Sequence, residues 1–227
     1  MLKDILGKPM IQHVWERAKQ CLILDELIIA CDDERIAEAA KGFGAKVVLT
    51  SKAHASGTDR IIEVINPLDV KIVINIQGDE PMVHPMMIDS VARALLADKS
   101  VCMATLMKKI DDPLQINDPH VVKVVVDKNN FALYFSRSAI PYRPENSQIK
   151  SPFYYKHIGL YGYTKDFLFT LRNLPVSNLE KTECLEQLRV LEEGFRIKVL
   201  ETKFDTIGVD TPEDLKKIKL YLEERKI

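Results

Sequence analysis

The sequence predicts an α/β fold, a mostly parallel sheet with helices on both faces and an inserted antiparallel hairpin region. Three observations predict it. Through the first half, short apolar runs alternate with apolar stripes at helical spacing, the pattern of successive strand–helix units. Past Lys108 that alternation stops, and two β-rich runs flank the turn sequence Asp127-Lys128-Asn129-Asn130, which reads as an antiparallel hairpin. No repeat, linker or low-complexity stretch divides the 227 residues, so 1–227 reads as a single domain with an insertion at about 108–163.

The elements follow in order. Met10, Ile11, Val14, Trp15 and Ala18 form one helical face, with Pro9 suited to the first turn. Leu27 to Cys31 is a continuous apolar run, as in a strand covered on both faces. Asp32-Asp33-Glu34 supplies an acidic helix start, and Ile36, Ala39, Ala40 and Phe43 continue that helix. Strands are predicted at Ala45 to Leu49, Ile72 to Ile76 and Val101 to Leu106, with helices at Thr58 to Ile65 and around Ile88 to Leu95. The hairpin strands are Val121 to Val126 and Ala132 to Phe135, and Tyr154 to Tyr163 is extended and aromatic. One helix carrying Leu185, Leu188 and Leu191, a strand at Arg196 to Glu201 and a helix with Leu215, Ile218 and Leu222 complete the chain.

Composition narrows the function. The 32 basic and 33 acidic residues give a formal net charge of -1, which argues against broad electrostatic binding to nucleic acid or an anionic membrane. No apolar run reaches the length of a membrane span, and Met1 opens no signal peptide, so a soluble, cytoplasmic protein is expected. Cys21, Cys31, Cys102 and Cys184 form no CxxC pair and read as reduced, packed thiols.

Several short segments carry chemistry-bearing residues, each with a plain alternative. Gln77-Gly78-Asp79-Glu80-Pro81 follows a buried strand, where open parallel sheets bind ligands; Asp79 offers hard oxygens to magnesium or is a solvated turn residue. In Gly208-Val209-Asp210-Thr211-Pro212-Glu213-Asp214, Thr211, Pro212 and Asp214 make a helix start with a capping box, which leaves Asp210 unused. Ser56-Gly57-Thr58 could bind a base or phosphate through amides and hydroxyls, or simply cap the next helix. Arg137, at a strand end, could pair with a carboxylate. His157 and Tyr161, four apart, point the same way in a regular strand, though either could be structural. Glu186 and Gln187 would ordinarily be the solvated face of a leucine-rich helix.

Together the segments GKPMIQHVWERA, SGTDR, INIQGDEP, VKVVVD, ALYFSRSAIP, KHIGLYGY, LEQLRVLE and GVDTPEDL resemble the 3-deoxy-manno-octulosonate (Kdo) cytidylyltransferases, in order and over nearly the whole chain. QGDEP and GVDT are shared with other sugar nucleotidyltransferases, whereas ALYFSRSAIP, HIGLYGY and LEQLRVL are more specific to the Kdo enzymes. The resemblance implies a Rossmann-like three-layer sandwich of the sugar nucleotidyltransferase type. It also implies transfer of CMP from CTP to the anomeric hydroxyl of Kdo with release of pyrophosphate, for lipopolysaccharide synthesis. On the same resemblance Asp79 and Asp210 match catalytic, magnesium-binding aspartates. Gln77, Arg137, His157, Tyr161, Glu186 and Gln187 match positions around the sugar, and Ser56, Gly57 and Thr58 the loop near the cytosine. A homodimer is implied as well.

The resemblance departs at the amino terminus. Family members begin with a strand and a basic loop resembling IPARxxSTRLPGKP that holds the triphosphate, and Gly7-Lys8-Pro9 aligns only with the GKP that follows it. The natural start is therefore expected upstream, with Met1 an internal methionine or a misassigned start. Two other readings stand beside the first: a cytidylyltransferase for a related acidic sugar, amino-Kdo or a sialic acid, and a non-catalytic binding protein on the same scaffold.

Overall fold

The computed structural model describes residues 1–227 except residue 55, residues 145–152, residue 210 and residues 226–227. In chain order the elements are β1 (Asp4–Ile5), β2 (Lys8–Pro9), α1 (Met10–Ala18), β3 (Ile28–Cys31), α2 (Glu34–Gly42), β4 (Lys46–Leu49) and α3 (Gly57–Ile65). Then come β5 (Ile72–Asn75), α4 (Pro85–Ala97), β6 (Met103–Lys109), a 3-10 turn (Pro113–Ile116), β7 (Lys123–Val126), β8 (Ala132–Ser136) and β9 (Tyr155–Thr164). The chain ends with α5 (Lys165–Asn173), α6 (Asn178–Glu183), α7 (Gln187–Glu192), β10 (Ile197–Glu201) and α8 (Pro212–Arg225). Contacts group these into two compact units, Met1–Val70 with Asn75–Asp89 and Asp205–Ile227, and Lys71–Ile74 with Ser90–Phe204.

In the first unit β3 and β4 pair in parallel, Ile28 opposite Lys46 through Cys31 opposite Leu49. Their connection is α2, whose start is fixed by the Asp33 carboxylate accepting the Arg35 N–H at 2.8 Å, the acidic cap expected from the sequence. Ile11 of α1, Ile29, Ala40 and Ala45 form one buried cluster, with Trp15, Phe43 and Val47 packed against it. A second cluster joins Ile5, Met10, Met82, Val209, Ile218 and Leu222, so α8 is held by the apolar stripe that predicted it.

The second unit is built on a mixed six-stranded sheet in the order β10-β6-β9-β7-β8, with β5 also pairing with β9. β10 runs parallel to β6, whereas β9 is antiparallel to both β6 and β7. The β7–β8 hairpin closes where expected. Asp127 Oδ1 accepts the N–H groups of Asn129 and Phe131, each at 2.8 Å, and Asn130 takes the left-handed φ of 58° that such turns need.

Two features differ from the sequence pattern. The leucine-rich stretch is not one helix. α6 ends at Cys184, whose φ of 53° breaks the helical path, and Leu185 lies between α6 and α7. Leu185 and Leu188 are nonetheless buried, so their spacing tracked burial and not one continuous helix. β9 is also not a regular strand. Ala104 pairs with Gly162 and Leu106 with Ile158, so Thr105 alone faces the three residues 159–161.

Candidate functional site

In the first unit, Arg60 of α3 anchors the Ser56-Gly57-Thr58 segment at the carboxyl ends of β3 and β4. Its guanidinium donates to Thr50 Oγ1 at 2.6 Å and to the Asp32 carboxylate at 2.7 Å, the residues that directly follow those strands. The bond from Arg60 holds the Asp32 carboxyl below the usual carboxylate range. Ser56 is the N-cap of α3, its Oγ accepting the Asp59 N–H at 3.1 Å. The capping alternative is thus real for Ser56, and the segment stands at the carboxyl ends of the strands. Gly57 is exposed and Thr58 buried.

Gln77 is exposed and Asp79 partly so, in the loop after β5. A side chain at Gly78 would strike Met1 Sδ at 2.7 Å and Ile11 Cδ1 at 2.9 Å, which explains a glycine there. Val209 donates its N–H to the Asp79 carbonyl at 3.0 Å, so segment 208–209 runs beside this loop. Thr211 and Asp214 form the expected capping box: Thr211 N–H donates to Asp214 Oδ2 at 3.0 Å and Asp214 N–H to Thr211 Oγ1 at 3.1 Å. Asp210 lies outside the described residues. Among those described, no group of three or more His, Cys, Asp or Glu side chains is arranged to hold a metal ion.

In the second unit Tyr161, Glu186 and Gln187 meet at one cavity of about 90 Å³, completed by Met103, Tyr163, Leu171 and Val190. Gln187 is only 6% exposed, and among the described residues its amide has no hydrogen-bond partner. It is therefore no solvated helix face. The Tyr161 and Tyr163 hydroxyls are likewise unpartnered among the described residues. Burial first, then for Tyr161 the neighbouring Tyr163 and for both the Glu186 charge, raises the two phenols above their ordinary pKa, so both remain protonated donors.

His157 stands beside this group, its ring centroid 5.3 Å from that of Tyr161 and 5.1 Å from Phe135. Residues four apart in a regular strand lie roughly 13 Å apart, so the bulge is what brings the two rings together. Desolvation pushes the imidazole pKa down to about 3, leaving it neutral at ordinary pH.

Arg137 differs from a guanidinium waiting on a ligand. It donates through Nε to the Glu183 carbonyl at 2.8 Å, through Nη1 to the Pro119 carbonyl at 3.0 Å and through Nη2 to the Cys184 carbonyl at 3.5 Å. Three of its five N–H groups are thereby used, and two remain for an anion. The Glu183 carboxylate accepts the Ser136 hydroxyl at 2.6 Å and the Arg137 N–H at 2.9 Å, fixing the end of β8 on α6. Fully buried Lys123 donates to the carbonyls of Asp118, Val121 and Arg137.

Sequence reasoning missed Tyr163, Lys123 and Glu183. Tyr163 was within reach, since it lies two residues beyond Tyr161 and the two rings stack at 6.0 Å. Lys123 and Glu183 gave no such signal, because a lysine in a strand and a glutamate in a charged helix read as solvated.

A family model described as "Cytidylyltransferase" matches residues 1–202. The 3-deoxy-manno-octulosonate cytidylyltransferase of Solibacter usitatus (strain Ellin6076) is 50% identical over 218 residues, covering 96% of this chain and 86% of that protein. That of Geobacter metallireducens (strain ATCC 53774 / DSM 7210 / GS-15) is 48% identical over 225 residues, covering 96% and 89%. A solved CMP:2-keto-3-deoxy-manno-octonic acid synthetase complexed with CTP superposes with a TM-score of 0.93 at 42% identity, over 99% of this chain and 91% of that one. A 4-diphosphocytidyl-2C-methyl-D-erythritol synthase from Anaerococcus prevotii DSM 20548 shares the fold alone, with a TM-score of 0.65 at 15% identity over 97% and 91%.

Proposed function

The chain belongs to the 3-deoxy-manno-octulosonate cytidylyltransferase family, and on that premise we propose how its residues serve the reaction. It is a nucleotidyltransferase that transfers CMP from CTP to the anomeric hydroxyl of Kdo and releases pyrophosphate, activating the sugar for lipopolysaccharide synthesis. The observation that carries this reading is the second unit's cavity. Kdo presents a carboxylate and many hydroxyls, and it needs a surround of uncharged donors and acceptors with a single cation. The unpartnered amide of Gln187 and the hydroxyls of Tyr161 and Tyr163 supply the first. The two remaining N–H groups of Arg137 supply the second.

Ser56, Gly57 and Thr58 take the cytosine. The location of this segment past the ends of β3 and β4 supports that assignment. His157 and Glu186 complete the sugar site of the second unit, and Gln77 is assigned to the sugar on the family resemblance. Asp79 and Asp210 would hold magnesium, and the bond between Val209 and the Asp79 carbonyl supports the pairing, because it ties segment 208–209 to the Asp79 loop. Two carboxylates are hard-oxygen donors of the kind magnesium takes. A magnesium ion held there would supply positive charge against the phosphates. The functional unit in this proposal is a homodimer working in the cytoplasm, as the family resemblance implies. Among the described residues no helix is long and apolar enough to cross a membrane.

The test is pyrophosphate release from CTP with Kdo, amino-Kdo and N-acetylneuraminate as separate acceptors in the presence of magnesium. Turnover led by Kdo is expected. Turnover led by another acid would reassign the substrate, and none with any acid would leave a binding protein.

A further inference from the structure

We propose that Thr105 is a positioning residue: its buried hydroxyl fixes His157 as the Nε2–H tautomer and so turns Nδ1 into a hydrogen-bond acceptor for a substrate hydroxyl. The substrate half of this statement rests on the sugar site proposed above, while the tautomer half stands on geometry alone.

Thr105 is fully buried, the single residue of β6 facing the bulge of β9. Its Oγ1 lies 3.0 Å from the Ile158 carbonyl, 2.9 Å from the Leu160 carbonyl and 3.0 Å from His157 Nε2. A hydroxyl has one proton and accepts through its lone pairs, whereas a carbonyl oxygen only accepts. Were the hydroxyl proton given to Nε2, both carbonyls would face oxygen lone pairs at 2.9–3.0 Å with no proton between. Such close oxygen–oxygen contacts with no proton between them are repulsive in a buried site. The proton therefore goes to a carbonyl, and Nε2 must donate its own N–H to Oγ1.

The consequence lies at the other nitrogen. A neutral imidazole protonated at Nε2 carries a lone pair at Nδ1. Among the described residues Nδ1 has no partner. The ring meanwhile leans toward Tyr161, a residue of the cavity wall. The neighbouring tyrosine hydroxyls can donate, so an acceptor beside them lets the site take substrate hydroxyls of either polarity. The same hydroxyl of Thr105 ties the bulge to β6, so one atom both shapes the bend that aims the ring and sets its proton.

The experiment is a nitrogen-15 correlation spectrum of histidine-labelled protein. The chain has five histidines, and His157 is assigned as the resonance set missing from His157→Gln. Nε2 of His157 should appear protonated and Nδ1 unprotonated, unchanged between neutral and mildly acidic pH. Thr105→Ser keeps the hydroxyl and should retain both the tautomer and the sugar KM. Thr105→Val removes it and should raise the sugar KM by roughly tenfold, the worth of one ordinary hydrogen bond, with the KM for CTP unchanged. A wild-type His157 protonated at Nδ1 would overturn the proposal, as would a Thr105→Ser variant as impaired as Thr105→Val. If Thr105→Val does not fold, the wild-type spectrum and Thr105→Ser decide. A protein that turns over no sugar acid while showing the expected tautomer would refute the sugar site and leave the role of Thr105 toward His157 standing.

Discussion

Val209 donates its main-chain N–H to the carbonyl of Asp79 at 3.0 Å, joining two loops separated by 130 positions of sequence. The bond holds by main-chain atoms alone, so it survives a change of side chain at residue 79. Asp79→Asn should therefore fold with an unchanged melting temperature and lose activity. Loss of the metal's charge stabilisation is worth several kcal/mol, and about 4 kcal/mol is nearly a thousandfold in kcat. Kinetics across a magnesium titration would check it, and a variant within tenfold of the parent would remove Asp79 from the metal site.

Gln187 is buried with an amide that no described residue satisfies. The amide is not one of the enclosed polar atoms left without a partner, so it opens on the cavity, where a ligand can bond it. Gln187→Met, of similar volume, should leave stability within about 0.5 kcal/mol and raise the sugar KM about tenfold. Chemical denaturation and steady-state kinetics together test the pair, and a destabilised variant would show that the amide has a structural partner.

Two glycines of β9 should respond oppositely to alanine. A Cβ at Gly162 would sit 2.5 Å from Val91 Cγ1, 2.8 Å from Leu95 Cδ1 and 2.9 Å from Ile74 Cδ1, whereas one at Gly159 meets nothing within 4 Å. Gly162→Ala should cost about 1–3 kcal/mol by overpacking, and Gly159→Ala should leave stability within about 0.5 kcal/mol. Urea midpoints measure both.

His157 predicts a pH dependence. Its folded pKa is about 3 against an ordinary value of 6.5. Between these values the unfolded chain binds a proton that the native protein does not, so stability increases with pH across that window. The contribution is complete above 6.5 and is lost as pH falls toward 3. In His157→Gln the melting temperature should fall less steeply between pH 6 and about 4 than in the parent.

The strand–helix alternation of the first half was legible because Ile28 to Cys31 and the stripes of α1 and α2 are local patterns, each imposed by one buried face. The turn at Asp127 was legible for the same reason, being fixed within five residues. The break at Cys184 was not, since a left-handed cysteine has no compositional signature and the leucines on either side keep helical spacing. Nor was the bulge in β9, which depends on Thr105 from a strand some fifty residues earlier. Of the site, sequence named the cavity residues Tyr161, Glu186 and Gln187 through resemblance. It did not reveal that Arg137 spends three of its N–H groups on main-chain carbonyls, because those partners come from distant turns.

Lys123 has a consequence for chemical labelling. Its ammonium is wholly enclosed and bound by carbonyls that precede and follow the β7–β8 hairpin. Burial lowers its pKa, which by itself favours the reactive free amine, but an acylating reagent cannot reach it while those carbonyls stay in place. Surface lysines thus react at rates set by their own chemistry, and Lys123 reacts at the rate at which the hairpin comes apart. The side chain is a built-in clock for the opening of the segment that carries Arg137.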